Sequence, residues 1–244
     1  MRIWCGIIAG VLLTVATASA EVIVEDQFDG GRERTPIAGT AAKKYADAKA
    51  PAGRNLPAGV WTKVAGFEWS DPFIPASWDS DHDYLNLGED ITGVAISLAG
   101  YNKGVLHIMA DVSHTSANRQ GGMALGFYSE LTKPNTRGGE MAHFIGIKVS
   151  EVSAEAGNIQ VWEDGKPVGQ AVDLPLIEPG KFYTLQYDID TTTGKLSNVK
   201  FDGKDIAGLE STKFTTAATA YAGVVQSGGQ NGRGAMDNFQ VSRQ

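Results

Sequence analysis

The chain has 244 residues, and its 21 lysines and arginines against 28 aspartates and glutamates give a formal net charge of −7. This acidic balance argues against a nucleic-acid-binding protein, because phosphate binding requires clustered Lys and Arg. Cys5 is the single cysteine, so no internal disulfide forms and the fold must be stabilised by buried apolar surface.

Residues 1–20 have the pattern of a signal peptide. Arg2 supplies a positive charge, an apolar run follows from Ile7 to Val15, and Ala18-Ser19-Ala20 forms a small-residue cleavage site before Glu21. The apolar run is shorter than the roughly 20 residues that a membrane-spanning helix needs, so a membrane anchor is the less favoured alternative. We therefore expect a secreted protein, extracellular or held in the periplasm or at the cell surface, with no membrane span.

The mature chain, residues 21–244, is expected to form one domain that begins with a strand. Val22 to Phe28 alternates so that Val22, Val24 and Phe28 share one face. The stretch 30–57 is rich in Ala, Gly, Pro, Lys and Arg and has almost no alternation, which predicts a long surface excursion. Within it, Thr40 to Lys49 has the composition of one or two helical turns, the alternative for this segment.

The rest of the chain predicts many short strands separated by Gly, Asn, Asp and Pro turns. Predicted strands are Val94–Leu98, Val105–Val112, Met123–Tyr128, Met141–Val152, Asn158–Glu163, Val168–Leu174, Thr219–Gln226 and Gly234–Val241. Between them lies the clearest pattern of all, the run from Tyr183 to Asp190, in which every second residue is apolar. A break at 191–194 and a second run from Lys195 to Phe201 predict a β-hairpin, and Asp202-Gly203 predicts a further tight turn.

A dozen short strands without a long amphipathic helix predict an all-β fold, a two-sheet antiparallel β-sandwich or jelly roll. Four segments in order strengthen this interpretation: VEDQFDG, GVWTKV, YTLQYDIDTTTGKLSNVKFDGKDI and GAMDNFQV. Together they resemble the concanavalin A-like lectin/glucanase superfamily, in particular exported bacterial LamG-like jelly-roll domains. The resemblance implies that the first and last strands lie side by side and that the concave sheet often holds glycan.

Enzymes that share this fold have catalytic patterns that the sequence lacks. A family 16-type glucanase would show E-x-D-x-x-E on one strand, and related polysaccharide lyases would show Gln-x-His with a Tyr/Lys-rich strand; neither occurs. His107, Met109 and Asp111 are predicted to share one face of a strand, where His107 and Asp111 would form an acid/base pair or part of a binding surface. A solvated polar face is the alternative.

Calcium is the cofactor that the sequence allows, in either of two places. Asp26 and Asp237 each lie two residues before a phenylalanine on predicted first and last strands, so we predict that they face the core together and share a structural Ca²⁺. The alternative is that each carboxylate accepts backbone N–H bonds in a turn. The second place is the loop with Asp79, Asp81 and Asp83, which lacks the glycine of an EF-hand loop.

Aromatic side chains outside the core are the usual way for a β-sheet surface to hold sugars, because their rings stack on the apolar faces of pyranoses. Trp162 is predicted to share a strand face with polar residues, and Trp69, Trp78 and Tyr101 lie in Gly-, Asp- and Pro-rich stretches. With His107 and Asp111 they make up the predicted carbohydrate-binding residues.

Three hypotheses about function follow from the sequence. The first is an exported, non-catalytic domain that binds a polysaccharide or a cell-surface glycan. The second is a glycan-active enzyme, a hydrolase or a lyase, with atypical catalytic residues. The third is a structural protein of the envelope or matrix.

Overall fold

The computed structural model describes residues 20–29, 35–46, 59–65, 72–74, 84–89, 92–98, 100–115, 121–131, 141–153, 155–209, 216–227 and 233–244. Two antiparallel sheets face each other as a sandwich, which confirms the predicted fold class. No helix among these residues is long and apolar enough to cross a membrane. The predicted signal peptide lies almost wholly outside the described residues.

The larger sheet has ten strands in the described residues, and β13 and β8 lie near its middle. Its main path runs β15-β14-β13-β8-β17-β6-β5-β2, with β1 on β17 and β3 on β1. The strands are β1 (Glu21–Asp26), β2 (Thr35–Pro36), β3 (Lys44–Tyr45), β5 (Phe73–Ile74), β6 (Leu85–Glu89), β8 (Val105–Thr115), β13 (Tyr183–Asp190), β14 (Lys195–Phe201), β15 (Lys204–Asp205) and β17 (Arg233–Arg243).

The smaller sheet has seven strands in the order β12-β11-β10-β9-β16-β7-β4. They are β4 (Trp61–Ala65), β7 (Thr92–Ser97), β9 (Gly121–Tyr128), β10 (Phe144–Glu151), β11 (Ala156–Glu163), β12 (Lys166–Pro175) and β16 (Tyr221–Ser227). Every predicted strand after residue 90 is present, with ends that differ from the prediction by at most three residues. A short 3₁₀ turn, Thr216–Thr219, precedes β16.

The core lies between the two sheets and is built from the inward-facing residues of each. Tyr187 of β13 is fully buried, its ring meets Phe127 edge-on at 6.4 Å, and its hydroxyl donates to the Leu125 carbonyl at 3.0 Å. This hydrogen bond joins the larger sheet to the smaller one. Because a buried hydroxyl needs a hydrogen-bond partner, this bond also favours the alignment of the two sheets that brings Tyr187 to the Leu125 carbonyl.

The predicted hairpin is confirmed in detail. Tyr183, Leu185 and Ile189 are buried on the inner face of β13, as their spacing requires. After β14, Asp202 and Gly203 have φ values of 50° and 75°, the left-handed pair that a type I′ turn needs. The exception is Asp188, which is only 3% exposed although it lies on the outward, polar side of the strand.

The first and last strands pair with each other, as the resemblance implied, but β1 differs from its prediction. A β-bulge between Val22 and Val24 shifts the register, so Ile23 and Val24 are both fully buried while Val22 is half-buried. The strand ends at Asp26, and Phe28 is buried from a left-handed turn with φ of 51°. The prediction that Val22, Val24 and Phe28 share one strand face is therefore wrong.

The described part of the predicted excursion, residues 35–46, contains two short strands. Lys44 and Tyr45 pair with β1, where a helical turn was the alternative prediction. The Tyr45 hydroxyl donates to the Ser97 carbonyl of the smaller sheet at 2.5 Å. This segment therefore connects the larger sheet to the smaller one along the edge of the sandwich.

Candidate functional site

The structure divides the predicted carbohydrate-binding residues among three places. His107 and Asp111 lie on the outer face of the larger sheet, Trp162 lies on the outer face of the smaller sheet, and Tyr101 lies in the connection before β8. Trp69 and Trp78 lie outside the described residues, as does the acidic loop of residues 79–83. These residues therefore do not form one surface.

Strand β8 presents alternate residues to the core and to the outside, as its sequence predicts. Leu106, Ile108 and Ala110 are fully buried, whereas His107 and Asp111 are half-buried on the other side. The neighbouring strands β13 and β17 add polar side chains to that side. We call this surface the polar face and define it by nine residues: His107, Met109, Asp111, Thr184, Gln186, Asp188, Asp237, Asn238 and Gln240.

One end of the polar face is organised around Asp188. Asp188 Oδ1 lies 2.6 Å from His107 Nδ1. Asp188 Oδ2 accepts hydrogen bonds from Asn198 Nδ2 at 2.5 Å and from Gln244 Nε2 at 3.4 Å. Burial acts to raise the pKa of Asp188, but these hydrogen bonds outweigh it and lower the pKa below its ordinary value. Asp188 is therefore ionised at neutral pH and orients the His107 ring.

The other end of the polar face is organised around Asp111. Its Oδ1 accepts a 2.5 Å hydrogen bond from the Thr184 hydroxyl, and its Oδ2 accepts one of 2.8 Å from Asn238 Nδ2. Asp237 lies directly opposite Asp111 on β17 and accepts the backbone N–H of Asn238 at 2.7 Å. Asn238 thus joins two carboxylates on neighbouring strands.

Two β-bulges bring the asparagines into these positions. Asn198 in β14 and Asn238 in β17 have φ values of 52° and 49°, and each lies at a register shift in its strand. A bulge redirects a side chain, and asparagine tolerates the left-handed conformation better than most residues. Sequence reasoning missed Asp188, Asn198 and Asn238 as site residues because an alternating pattern does not reveal a bulge.

The two aspartates of the calcium prediction occupy different settings. Asp26 is buried, and its carboxylate accepts hydrogen bonds from Phe28 N at 3.0 Å and Trp61 Nε1 at 2.8 Å. Asp26 lies opposite Phe239, whereas Asp237 lies opposite Asp111 on the polar face, so the predicted shared core-facing side is not observed. The described residues contain no group of three or more His, Cys, Asp or Glu arranged to hold a metal.

Trp162 lies on the outer side of β11 with Asn158 and Gln160, as predicted. The Lys148 ammonium lies 4.5 Å from the centre of its ring, and the ring packs against a second apolar cluster that includes Tyr128 and Phe144. Both of these aromatic residues are 1% exposed, so this part of the outer face is buried. Trp162 therefore lies at the margin of a buried cluster.

Tyr101 contacts the C-terminal strand. The Arg243 guanidinium lies 5.3 Å from its ring centre, and Arg243 also pairs with Glu21 at 2.5 Å. The tyrosine is half-buried against the core at the start of β8.

A small cleft, partly open to solvent, lies at one end of the sandwich. Its lining includes Tyr183, Phe201, His114 of β8 and Glu151 of β10. His114 Nδ1 lies 3.5 Å from Glu151 Oε1. Burial, and to a smaller extent the charge of Lys148, lowers the pKa of His114 to about 4. This histidine is therefore neutral at pH 7 and is part of the interior.

Comparison with known proteins supports the fold. No protein-family model matches the sequence, and no curated protein matches it. The chain is similar to the Emp47p carbohydrate recognition domain, with 12% identity, 91% of this chain and 97% of that chain covered, and a TM-score of 0.50. A sialidase aligns with 15% identity and a TM-score of 0.50 over 75% of this chain, which spans only 17% of the sialidase's length.

A third solved structure is a carbohydrate-binding module, CBM66 from Bacillus subtilis, with 10% identity, 75% of this chain and 94% of that chain covered, and a TM-score of 0.46. At these identities the similarity concerns the fold alone. The two antiparallel sheets, together with the similarity to the Emp47p domain, define the fold as an antiparallel jelly-roll β-sandwich.

Proposed function

We propose that the protein is an exported, non-catalytic carbohydrate-binding β-sandwich that holds a glycan on its polar face. The observation that carries this proposal is the hydrogen-bonded arrangement of polar side chains on β8, β13 and β17, in the middle of the larger sheet. Side chains held by each other lose little freedom when a ligand binds, which favours affinity.

The chemistry of the polar face suits a sugar. Hydroxyl groups of sugars both donate and accept, and the face offers half-buried carboxylate acceptors in Asp111 and Asp237 and amide groups in Gln186 and Gln240. Met109 lies among them, half-buried, and offers an apolar contact for C–H groups. The Emp47p domain, to which the chain is similar, is named as a carbohydrate recognition domain, which is a further reason to test glycans first.

Binding measured on a glycan array and then by calorimetry tests the location of the site. Gln186→Ala should weaken binding by about threefold to tenfold, the effect of one or two lost hydrogen bonds. Trp162→Ala, on the opposite sheet, serves as the matched control and should leave binding unchanged. Weaker binding in Trp162→Ala alone would place the site on the Trp162 surface instead. Unchanged binding in both variants would rule out both surfaces as the glycan site.

The glycan-active enzyme is the second candidate, and the His107–Asp188 pair favours it. A histidine held at 2.6 Å by an ionised carboxylate, with 23% of its side chain exposed, has the geometry of a general base or acid. Incubating the protein with a polysaccharide panel and measuring new reducing ends tests this candidate. New ends formed by the wild type and lost in His107→Ala would overturn the non-catalytic part of the proposal.

Export and the structural alternative need separate tests. Export is supported by the pattern of residues 1–20, and N-terminal sequencing of secreted protein should begin at Glu21. A protein that stays with the cell surface and binds no glycan on the array would instead favour the envelope or matrix protein.

A further inference from the structure

The cleft at one end of the sandwich, which we call the end cleft, contains a buried histidine with unused hydrogen-bonding capacity. The side chain of His114 lines the cleft and is 4% exposed, and neither ring nitrogen makes a hydrogen bond with the described residues. Glu151 Oε1, from the facing sheet, lies 3.5 Å from Nδ1, which is longer than the roughly 2.7–3.2 Å of an N–H···O bond. Because buried polar groups are normally hydrogen-bonded, an unbonded imidazole in the wall of a cleft indicates a ligand position.

The other walls of the end cleft are mostly apolar. Met123 and Val149 come from the smaller sheet, Ile177 from the connection between β12 and β13, and Tyr183 and Phe201 from the larger sheet. A cleft with apolar walls and a few polar groups is the usual form of a small-ligand site. None of the described residues that line it is lysine or arginine, so a carboxylate or phosphate of a ligand would find no positive partner there.

The connection of residues 176–182 contributes to the wall and is tied to the larger sheet. Glu178 N donates to the Tyr183 hydroxyl at 3.0 Å, which holds the connection beside an aromatic residue of the cleft. The exposed large apolar side chains of the described residues are Val152 and Leu176, and each is next in the chain to a lining residue. Apolar surface is therefore available to a ligand close to the end cleft as well as within it.

The lining residues define the chemistry of the ligand. Because His114 is neutral at pH 7, its ring offers one N–H donor and one nitrogen acceptor. The matching partner is an uncharged group with one acceptor and one donor, and the apolar walls favour a methyl group beside them. The cleft is small, so this group has only a few heavy atoms. An acetamido group, with its C=O, N–H and CH₃, meets all of these requirements.

We propose that the end cleft is a second binding site, separate from the polar face, that takes an acetamido group such as N-acetylated sugars carry. The ligand carbonyl accepts from the His114 ring, and the ligand methyl packs against Met123 and Val149. His114 follows the inward-facing residues of β8, whereas the polar face lies on the outer side of that strand. Binding in the end cleft therefore does not depend on a glycan held by the polar face.

Methionine methyl signals distinguish the two sites in one NMR spectrum. Met123 lines the end cleft and Met109 lies on the polar face, so protein isotope-labelled at its methionine methyl carbons reports on both. The methyl glycoside of N-acetylglucosamine should shift the Met123 signal with millimolar affinity, because only a few of its atoms contact the cleft. The methyl glycosides of glucosamine and of glucose, which lack the acetyl group, should not shift it. The variant Met123→Leu assigns the signal.

A second comparison identifies the molecule that carries the group. Nε-acetyl-lysine amide has the same acetamido group without a sugar ring. A shift of the Met123 signal by both compounds would show that the acetamido group alone is recognised. A shift by the N-acetylglucosamine glycoside alone would support the proposal and assign the site to N-acetylated glycans. An equal shift by the glucose glycoside would overturn it, because the acetyl group would then have no role.

Variants of the cleft test its residues directly. His114→Leu removes both ring nitrogens and should weaken binding by about fivefold to tenfold, the effect of one or two lost hydrogen bonds. Ile177→Phe, in a connection rather than a strand, narrows the cleft and should weaken binding at least as much, which keeps the test valid if His114→Leu is unfolded. His143→Gln, at an exposed histidine, is the control and should leave binding unchanged. Thermal unfolding shows which variants are folded.

The possible results separate the end cleft from the proposed function. A Met123 signal that does not respond to the N-acetylglucosamine glycoside would overturn the proposal, as would unchanged affinity in folded His114→Leu and Ile177→Phe. A shift of the Met109 signal alone would also overturn it and leave glycan binding on the polar face standing. A Met123 shift that Gln186→Ala does not alter, without any response at Met109, would support the end cleft and count against the polar face.

Discussion

Substitution of Asp26 tests the hydrogen bonds that hold the first strand to the rest of the sandwich. Its carboxylate accepts from Phe28 N and from the indole N–H of Trp61, at 3.0 and 2.8 Å, and Trp61 is fully buried. Because Asp26 belongs to the larger sheet and Trp61 to the smaller, the second bond joins the sheets. Asparagine has nearly the same shape as aspartate but only one side-chain oxygen. Its NH₂ group would therefore face one of the two N–H donors, Phe28 N or Trp61 Nε1, and could not accept from it.

The expected cost follows from these contacts. A hydrogen bond to a charged acceptor contributes about 1.5–3 kcal/mol, and a buried donor left without a partner adds to the loss. Asp26→Asn should therefore lower the free energy of unfolding by about 2–3 kcal/mol. Trp61→Phe removes the same bond and weakens ring contacts with Phe28 and Phe239, whose centroids lie 5.6 and 5.1 Å away.

Urea unfolding followed by circular dichroism measures both variants and their combination. The double variant should lose about 2 kcal/mol less than the sum of the single variants, because both remove one shared bond. Asp26→Asn combined with Tyr187→Phe, a distant pair, should be additive. Additivity to within about 0.5 kcal/mol in the first pair would show that Asp26 and Trp61 are not coupled, and the argument for this bond would fail.

Three further predictions concern stability. The pKa of His114 is about 4 in the folded chain against an ordinary value of 6.5, so only the unfolded chain gains a proton between these values. The free energy of unfolding should therefore rise as the pH increases from 4 to 6.5. His114→Gln should reduce this slope, whereas His143→Gln, at an exposed histidine, should leave it unchanged. Gly126→Ala should cost at least about 3 kcal/mol in urea unfolding, because a Cβ would lie 2.2 Å from the Ile145 carbonyl oxygen, whereas Gly100→Ala, with nothing within 4 Å, should be neutral. If a bound Ca²⁺ stabilises the fold, EDTA should lower the unfolding temperature and added Ca²⁺ should restore it. An unfolding temperature that changes in neither step would contradict the predicted structural Ca²⁺ site.

Prediction of the site from sequence was less complete than prediction of the fold. The shared face of His107 and Asp111 followed from the spacing on one strand, and the structure confirms it. The partners of these residues, Asp188, Asn198 and Asn238, come from other strands, and two of them depend on bulges. Their positions therefore depend on register, which local spacing does not determine.

The sequence alone determined the extended strands, the hairpin of Tyr183 to Phe201 and the sandwich class, because alternation and turn residues are local properties of the chain. Only the tertiary structure decided which strands are neighbours, and hence that Asp237 faces Asp111 while Asp26 faces Phe239 and bonds to Trp61. It also placed Trp162 and His107 on opposite sheets. Strand order and register arise from contacts between residues far apart in sequence, so a pattern read along one strand does not contain them.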